Sequence, residues 1–195
     1  MNTNTIQKYI GLNKIADPNG IVILGGSEDV DIPIGELRQA FSVTPKIYNR
    51  SFNHLSVKDA KEIYDKCVLP LSPETLLIHV GEEDLEFFAQ DSAKFDEAYR
   101  ALISHIRKNQ PKCRISLVSL RNYDNNPQIT ELNTHLKYIA DSERCEYGDI
   151  ATKRVWNPQS TIDAVSFVYS TGFMRPLKNN RSLYDLVKMF FCYAN

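Results

Sequence analysis

Behind the apolar run Ile21-Val22-Ile23-Leu24 stand two glycines and a serine, Gly25-Gly26-Ser27, followed by Glu28. An apolar run stopped by glycine reads as a short buried strand ending in a tight turn, and a hydroxyl in that turn is a candidate nucleophile. A serine needs a base, and the chain holds only His54, His79, His105 and His135. His54 lies in a loop and is the base candidate. His79 lies in a strand and reads as a buried, hydrogen-bonded imidazole; His105 and His135 sit on helices beside the apolar stripes. Two acidic groups also follow strands: Glu28, Asp29 and Asp31, and then Glu82, Glu83, Asp84 and Glu86. Crowded carboxylates raise one another's pKa or recruit a hard cation such as Mg²⁺, with Lys153 as counter-charge; solvated loop acids and acids at helix N-termini are the other reading. Arg50, Arg121 and Arg175 fall near strand ends, where they pair with such acids or receive an anion.

The elements that must position these groups alternate. An arm or helix over residues 1–18 ends at the turn cluster Asp17-Pro18-Asn19-Gly20. After the first strand, Ile34, Leu37, Ala40 and Phe41 recur at helical spacing behind Pro33. Lys46–Asn49 reads as a second strand. Ser56 opens a helix whose buried face is Val57, Ala60, Ile63, Tyr64 and Cys67. Thr75–Gly81 is a third strand, and a long helix follows with Phe95, Ala98, Tyr99, Leu102 and Ile106 inward, ending before Pro111. Cys113–Leu120 is a fourth strand. Ile129, Leu132, Leu136 and Ile139 mark another helix, and Cys145–Ile150 a fifth strand. Ala164–Tyr169 reads as an additional strand and Ser182–Tyr193 as a closing helix. Strand–helix alternation specifies a mainly parallel sheet covered on both faces, because parallel neighbours need crossovers. The predicted architecture is a single α/β domain over 1–195, a three-layer α/β/α sandwich.

Composition narrows the partners. A net charge of -1 provides no bulk attraction to nucleic acid or to an anionic membrane. No apolar run approaches the roughly 18 residues of a membrane span. Polar Met1–Thr5 shows no signal-peptide pattern, and Cys67, Cys113, Cys145 and Cys192 are scattered without a Cys-x-x-Cys pair. The expectation is a cytoplasmic protein with free thiols, no zinc site and no cofactor.

Three motifs in register carry a resemblance. Gly25-Gly26-Ser27-Glu28, Asn49-Arg50-Ser51-Phe52-Asn53 and Gly81-Glu82-Glu83-Asp84 each follow a predicted strand. They resemble the Gly-Asp-Ser, Asn-Arg-Gly and Gly-x-Asn-Asp blocks of the SGNH (GDSL-type) hydrolases, over roughly residues 20 to 150. The resemblance implies a flavodoxin-like five-stranded sheet of order 2-1-3-4-5, with all three segments around one crevice. It implies Ser27 as nucleophile and the Ser51 backbone N–H as an oxyanion donor, with Glu83 at the position of the Asn donor. An ionised carboxylate only accepts hydrogen bonds, so Glu83 changes the sign of that position. The segment Ser170–Pro176 stands where the resemblance places Asp-x-x-His-Pro, yet has neither Asp nor His. The chain is identified as a divergent member of that family. The implied function is hydrolysis of a small-molecule or carbohydrate ester, acyl or acetyl, with Ser27 attacking and His54 standing in as base. The alternative is a catalytically lapsed binding or interaction protein with the same crevice, or an acidic crevice that takes a divalent cation.

Overall fold

The computed structural model describes residues 3–40, 45–122 and 124–151. The additional strand at 164–169, the closing helix at 182–193, Lys153, Arg175 and Cys192 lie outside the described residues.

Five strands form one parallel sheet in the order β2-β1-β3-β4-β5. They are β1 (Ile21–Gly25), β2 (Ile47–Asn49), β3 (Thr75–His79), β4 (Arg114–Val118) and β5 (Glu146–Gly148). The helices are α1 (Thr3–Asn13), α2 (Ile34–Ala40), α3 (Val57–Ile63), α4 (Leu85–Gln90), α5 (Ser92–Asn109) and α6 (Pro127–Ser142). The α/β/α architecture is the one expected from the strand–helix alternation, and the strand order is the one the family resemblance implies.

Every residue of β1 and β3 is buried, as expected of central strands with helices over both faces of a parallel sheet. Their register runs from Ile21 opposite Thr75 to Gly25 opposite His79, so the two strands end level with one another. On the other side, Ile23 of β1 faces Asn49, the last residue of β2. The C-terminal ends of β2, β1 and β3 therefore form one edge, where the loops carrying Ser51, Ser27 and Glu83 emerge.

Local chemistry sets the helices. Ser56 accepts a hydrogen bond from the Asp59 N–H and opens α3. Beyond Ile63 the helix widens into a π turn over Tyr64–Val68, which keeps Tyr64, Cys67 and Val68 fully buried. The long helix expected after β3 is two helices. Asp91 leaves helical geometry with a ψ of 84°, and its side chain accepts the Lys94 N–H to start α5 afresh. Of the residues predicted to face inward, Phe95, Tyr99, Leu102 and Ile106 are buried on α5, and Ala98 is half-buried at its edge. Asn126 caps α6 through the Gln128 N–H, with Pro127 in the first turn. Among the described residues no helix is long and apolar enough to cross a membrane.

Candidate functional site

Ser27 opens a single 3-10 turn, Ser27–Asp29, directly after β1. Two contacts fix the approach: the Gly26 N–H donates to the His79 carbonyl (3.1 Å) and the Phe52 N–H to the Gly25 carbonyl (3.0 Å). The loop after β2 thus lies against the end of β1. Its His54 takes a left-handed φ of 56°, and its backbone N–H donates to Ser27 Oγ at 3.0 Å. After β3, Gly81 adopts a φ of 137°, a conformation that favours glycine. Past that turn, Glu83 reaches the same place. Its Oε1 lies 2.9 Å from His54 Nδ1 and accepts from the Ser27 hydroxyl at 3.5 Å, the outer limit of a hydrogen bond.

Ser27, His54 and Glu83 therefore meet at one rim, with the carboxylate between the hydroxyl and the imidazole. The His54 side chain is 81% exposed and that of Glu83 32%, so both are within reach of solvent and ligand. Ser51 lies behind this rim and is fully buried. Its N–H donates to Asn49 Oδ1 at 2.9 Å, and its carbonyl accepts from the Tyr9 hydroxyl at 3.0 Å. The Ser51 N–H is thereby occupied within the loop.

The neighbouring Asp84 points inward. Its Oδ2 accepts the Val57 N–H at 2.8 Å, at the first residue of α3, and so ties the loop after β3 to the element following His54. Burial pushes the Asp84 carboxyl up to about 6, against the pull of that N–H.

A pocket of about 240 Å³ opens beside the Gly26 turn. In its floor the His79 Nδ1 stands 2.7 Å from Asp29 Oδ2, and both side chains are buried. This pair is half legible in the sequence: His79 reads as a bonded imidazole, but its partner follows only from the register that sets Gly25 beside it. Gly25 makes room for the pair, since a Cβ there would drive into the Asp29 carboxylate. Glu82 overhangs Gly26. Burial, with the Glu28 and Glu83 charges adding to it, raises its carboxyl above the usual range. Arg121, behind β4, donates to Glu28 at 2.5 Å. Leu85, Leu120 and Ile129 provide the apolar wall, and Asn122, Asp124 and Asn126 from the loop between β4 and α6 close the rim. That loop carries no feature in the sequence that marks it as part of a site.

Arg50 is used inside the fold. Its Nε and Nη2 donate to Asn13 Oδ1 at 3.1 and 2.7 Å, and its guanidinium lies 4.9 Å from the Tyr9 ring centroid. Among the described residues no group of three or more His, Cys, Asp or Glu is arranged to hold a metal ion. Cys67, Cys113 and Cys145 are free, and burial pushes their thiols up to about 11, 12 and 11, so they are inert as nucleophiles.

The architecture has clear counterparts among solved structures. A GDSL-like lipase from Bacteroides thetaiotaomicron superposes with a TM-score of 0.57 at 16% identity, covering 88% of this chain and 98% of its own. The fold is that of the GDSL-type hydrolases. A protein from Streptococcus pneumonia, provisionally described as a platelet activating factor, gives 0.66 at 18% identity over 80% of this chain and 77% of its own. The acetyl xylan esterase AlAXEase gives 0.55 at 17% identity, covering 67% and 76%. No protein-family profile and no curated protein matches the sequence. Ser27, Ser51 and Glu83 follow the ends of β1, β2 and β3 along one edge of the sheet.

Proposed function

We propose that this chain is an ester hydrolase of the GDSL type, acting on an acyl or acetyl ester of a small molecule or carbohydrate, with Ser27 as the nucleophile. The observation that carries this reading is the meeting of the Ser27 hydroxyl with Glu83 and His54 at one rim. Ser27 Oγ attacks the ester carbonyl carbon, and its proton passes to the Glu83–His54 pair, whose carboxylate lies next to the hydroxyl. The proton then goes to the departing alcohol oxygen as the ester C–O bond breaks. Water, activated by the same pair, returns the acyl-serine to free enzyme and releases the acid.

The developing oxyanion needs donors. The Ser51 N–H is engaged with Asn49, which leaves the first N–H groups of the Ser27–Asp29 turn, donors that have no partner within the turn itself. The similarity to a lipase and an acetyl xylan esterase supports ester chemistry by analogy of fold. The three free thiols support a reducing, cytoplasmic setting.

A fluorophosphonate probe followed by peptide mapping tests this reading. Labelling of Ser27 that disappears in Ser27→Ala is expected. A folded protein that takes no label, or takes it elsewhere, overturns the hydrolase reading and leaves a crevice that binds without reacting.

A further inference from the structure

Four carboxylates, Glu28, Asp29, Glu82 and Asp124, line the pocket beside the Gly26 turn. The described basic side chains facing them are the Arg121 guanidinium, which meets Glu28, and the His79 imidazole, which meets Asp29. The acids outnumber these partners. The second Asp29 oxygen, Oδ1, is buried and has no hydrogen-bond partner among the described residues, although Asp29 is fully buried and lines the pocket. An unmatched acceptor in a buried carboxylate is costly unless a donor or a positive charge reaches it. The raised Glu82 carboxyl, pushed up first by burial and then by the Glu28, Glu83 and Asp29 charges against the pull of His79, reports the same surplus.

We infer that this pocket is a subsite for a primary ammonium group carried on a short apolar stem. Each component of the wall matches one part of that ligand. Carboxylates only accept hydrogen bonds, and an ammonium has three donors and no acceptor. Leu85, Leu120 and Ile129 face the stem. An anionic group meets like charge, and a bare metal ion finds no set of three ligands among the described residues. The volume, about 240 Å³, suits a small group. Because Gly26 borders both the pocket and Ser27, the inference deepens the hydrolase reading, on which it rests for one point only: the ester taken carries its ammonium within reach of Ser27.

The test is an isosteric trio, n-butylammonium, 1-butanol and butyrate, titrated onto the full chain by calorimetry or NMR. The ammonium is expected to bind at least tenfold more tightly than the alcohol, and butyrate not at all. Glu82→Gln should lower ammonium affinity by tenfold, while Glu62→Gln on α3 leaves it unchanged. Ser27→Ala should bind the ammonium as the parent does, which separates this inference from the catalytic one. Failure to label Ser27 with the ammonium preference intact removes only the hydrolase reading. Equal affinity for the three probes, no binding of the ammonium, or less than a threefold loss in Glu82→Gln overturns the subsite; in the second case the counter-charge comes from the chain itself.

Discussion

Replacing Asp84 by Asn removes a buried charge while keeping an oxygen to accept the Val57 N–H. In the folded chain the Asp84 carboxyl titrates at about 6, against an ordinary value of 3.8. Each tenfold change in proton affinity is about 1.4 kcal/mol, so the ionised form is disfavoured on folding by up to about 3 kcal/mol. Between these two values the folded state holds the proton and the unfolded state has lost it. Asp84 therefore contributes stability that is present at low pH and lost as pH rises from about 4 to about 6. The side-chain amide of the Asp84→Asn variant never ionises and loses nothing across this window. Asp84→Asn should match the parent near pH 3.5 and exceed it at pH 8 by up to about 3 kcal/mol, a Tm gain of roughly 6–12 °C for a chain of this size. Thermal unfolding followed by circular dichroism at the two pH values is the assay. A variant less stable than the parent at pH 8, or differing by the same amount at both pH values, refutes the reasoning and gives the charge-assisted bond to Val57 the larger share.

Three further substitutions follow from the geometry. Glu83→Gln should slow fluorophosphonate labelling of Ser27 by tenfold or more, since the amide cannot take the proton; faster labelling would mean that the carboxylate obstructs the oxyanion. His79→Ala leaves the Asp29 charge buried without its partner and should cost about 3–5 kcal/mol in urea unfolding; a loss under about 1 kcal/mol would show that the pair carries little of the fold. Gly25→Ala forces a methyl against the Asp29 carboxylate and should cost about 1–3 kcal/mol; an unchanged denaturation midpoint would show that Asp29 moves freely.

Much of this molecule is legible in its sequence because its strongest signals are local. The run Ile21–Leu24 is apolar throughout and Leu76–Ile78 is the apolar centre of Thr75–His79; each leads on to a glycine, and both are buried strands. Ser56 announces α3 through its own side chain. What escapes a sequence reading depends on distance or on fine backbone choice. Asp91 divides the helix after β3 by capping a new one, and an Asp within an amphipathic pattern reads equally well as an exposed helical residue. The widened turn at Tyr64–Val68 preserves the apolar face that a regular helix would also present. The Asp29–His79 pair requires β1 and β3 to be in register, and no single segment contains that fact. At the rim, Ser27, His54 and Glu83 are each visible as residues, but the Glu83 oxygen between the other two is a product of three loops.

The central place of β1 has a consequence for how the chain assembles. Residues 21–25 are synthesised before both of their neighbours in the sheet, β2 at 47–49 and β3 at 75–79. During synthesis the apolar Ile21–Leu24 run waits for its flanking strands, and closing those loops costs entropy before any ladder forms. The Ser27 turn acquires its shape only when His79 arrives to receive the Gly26 N–H. A nascent chain halted before β3 holds every atom of that serine and none of its architecture.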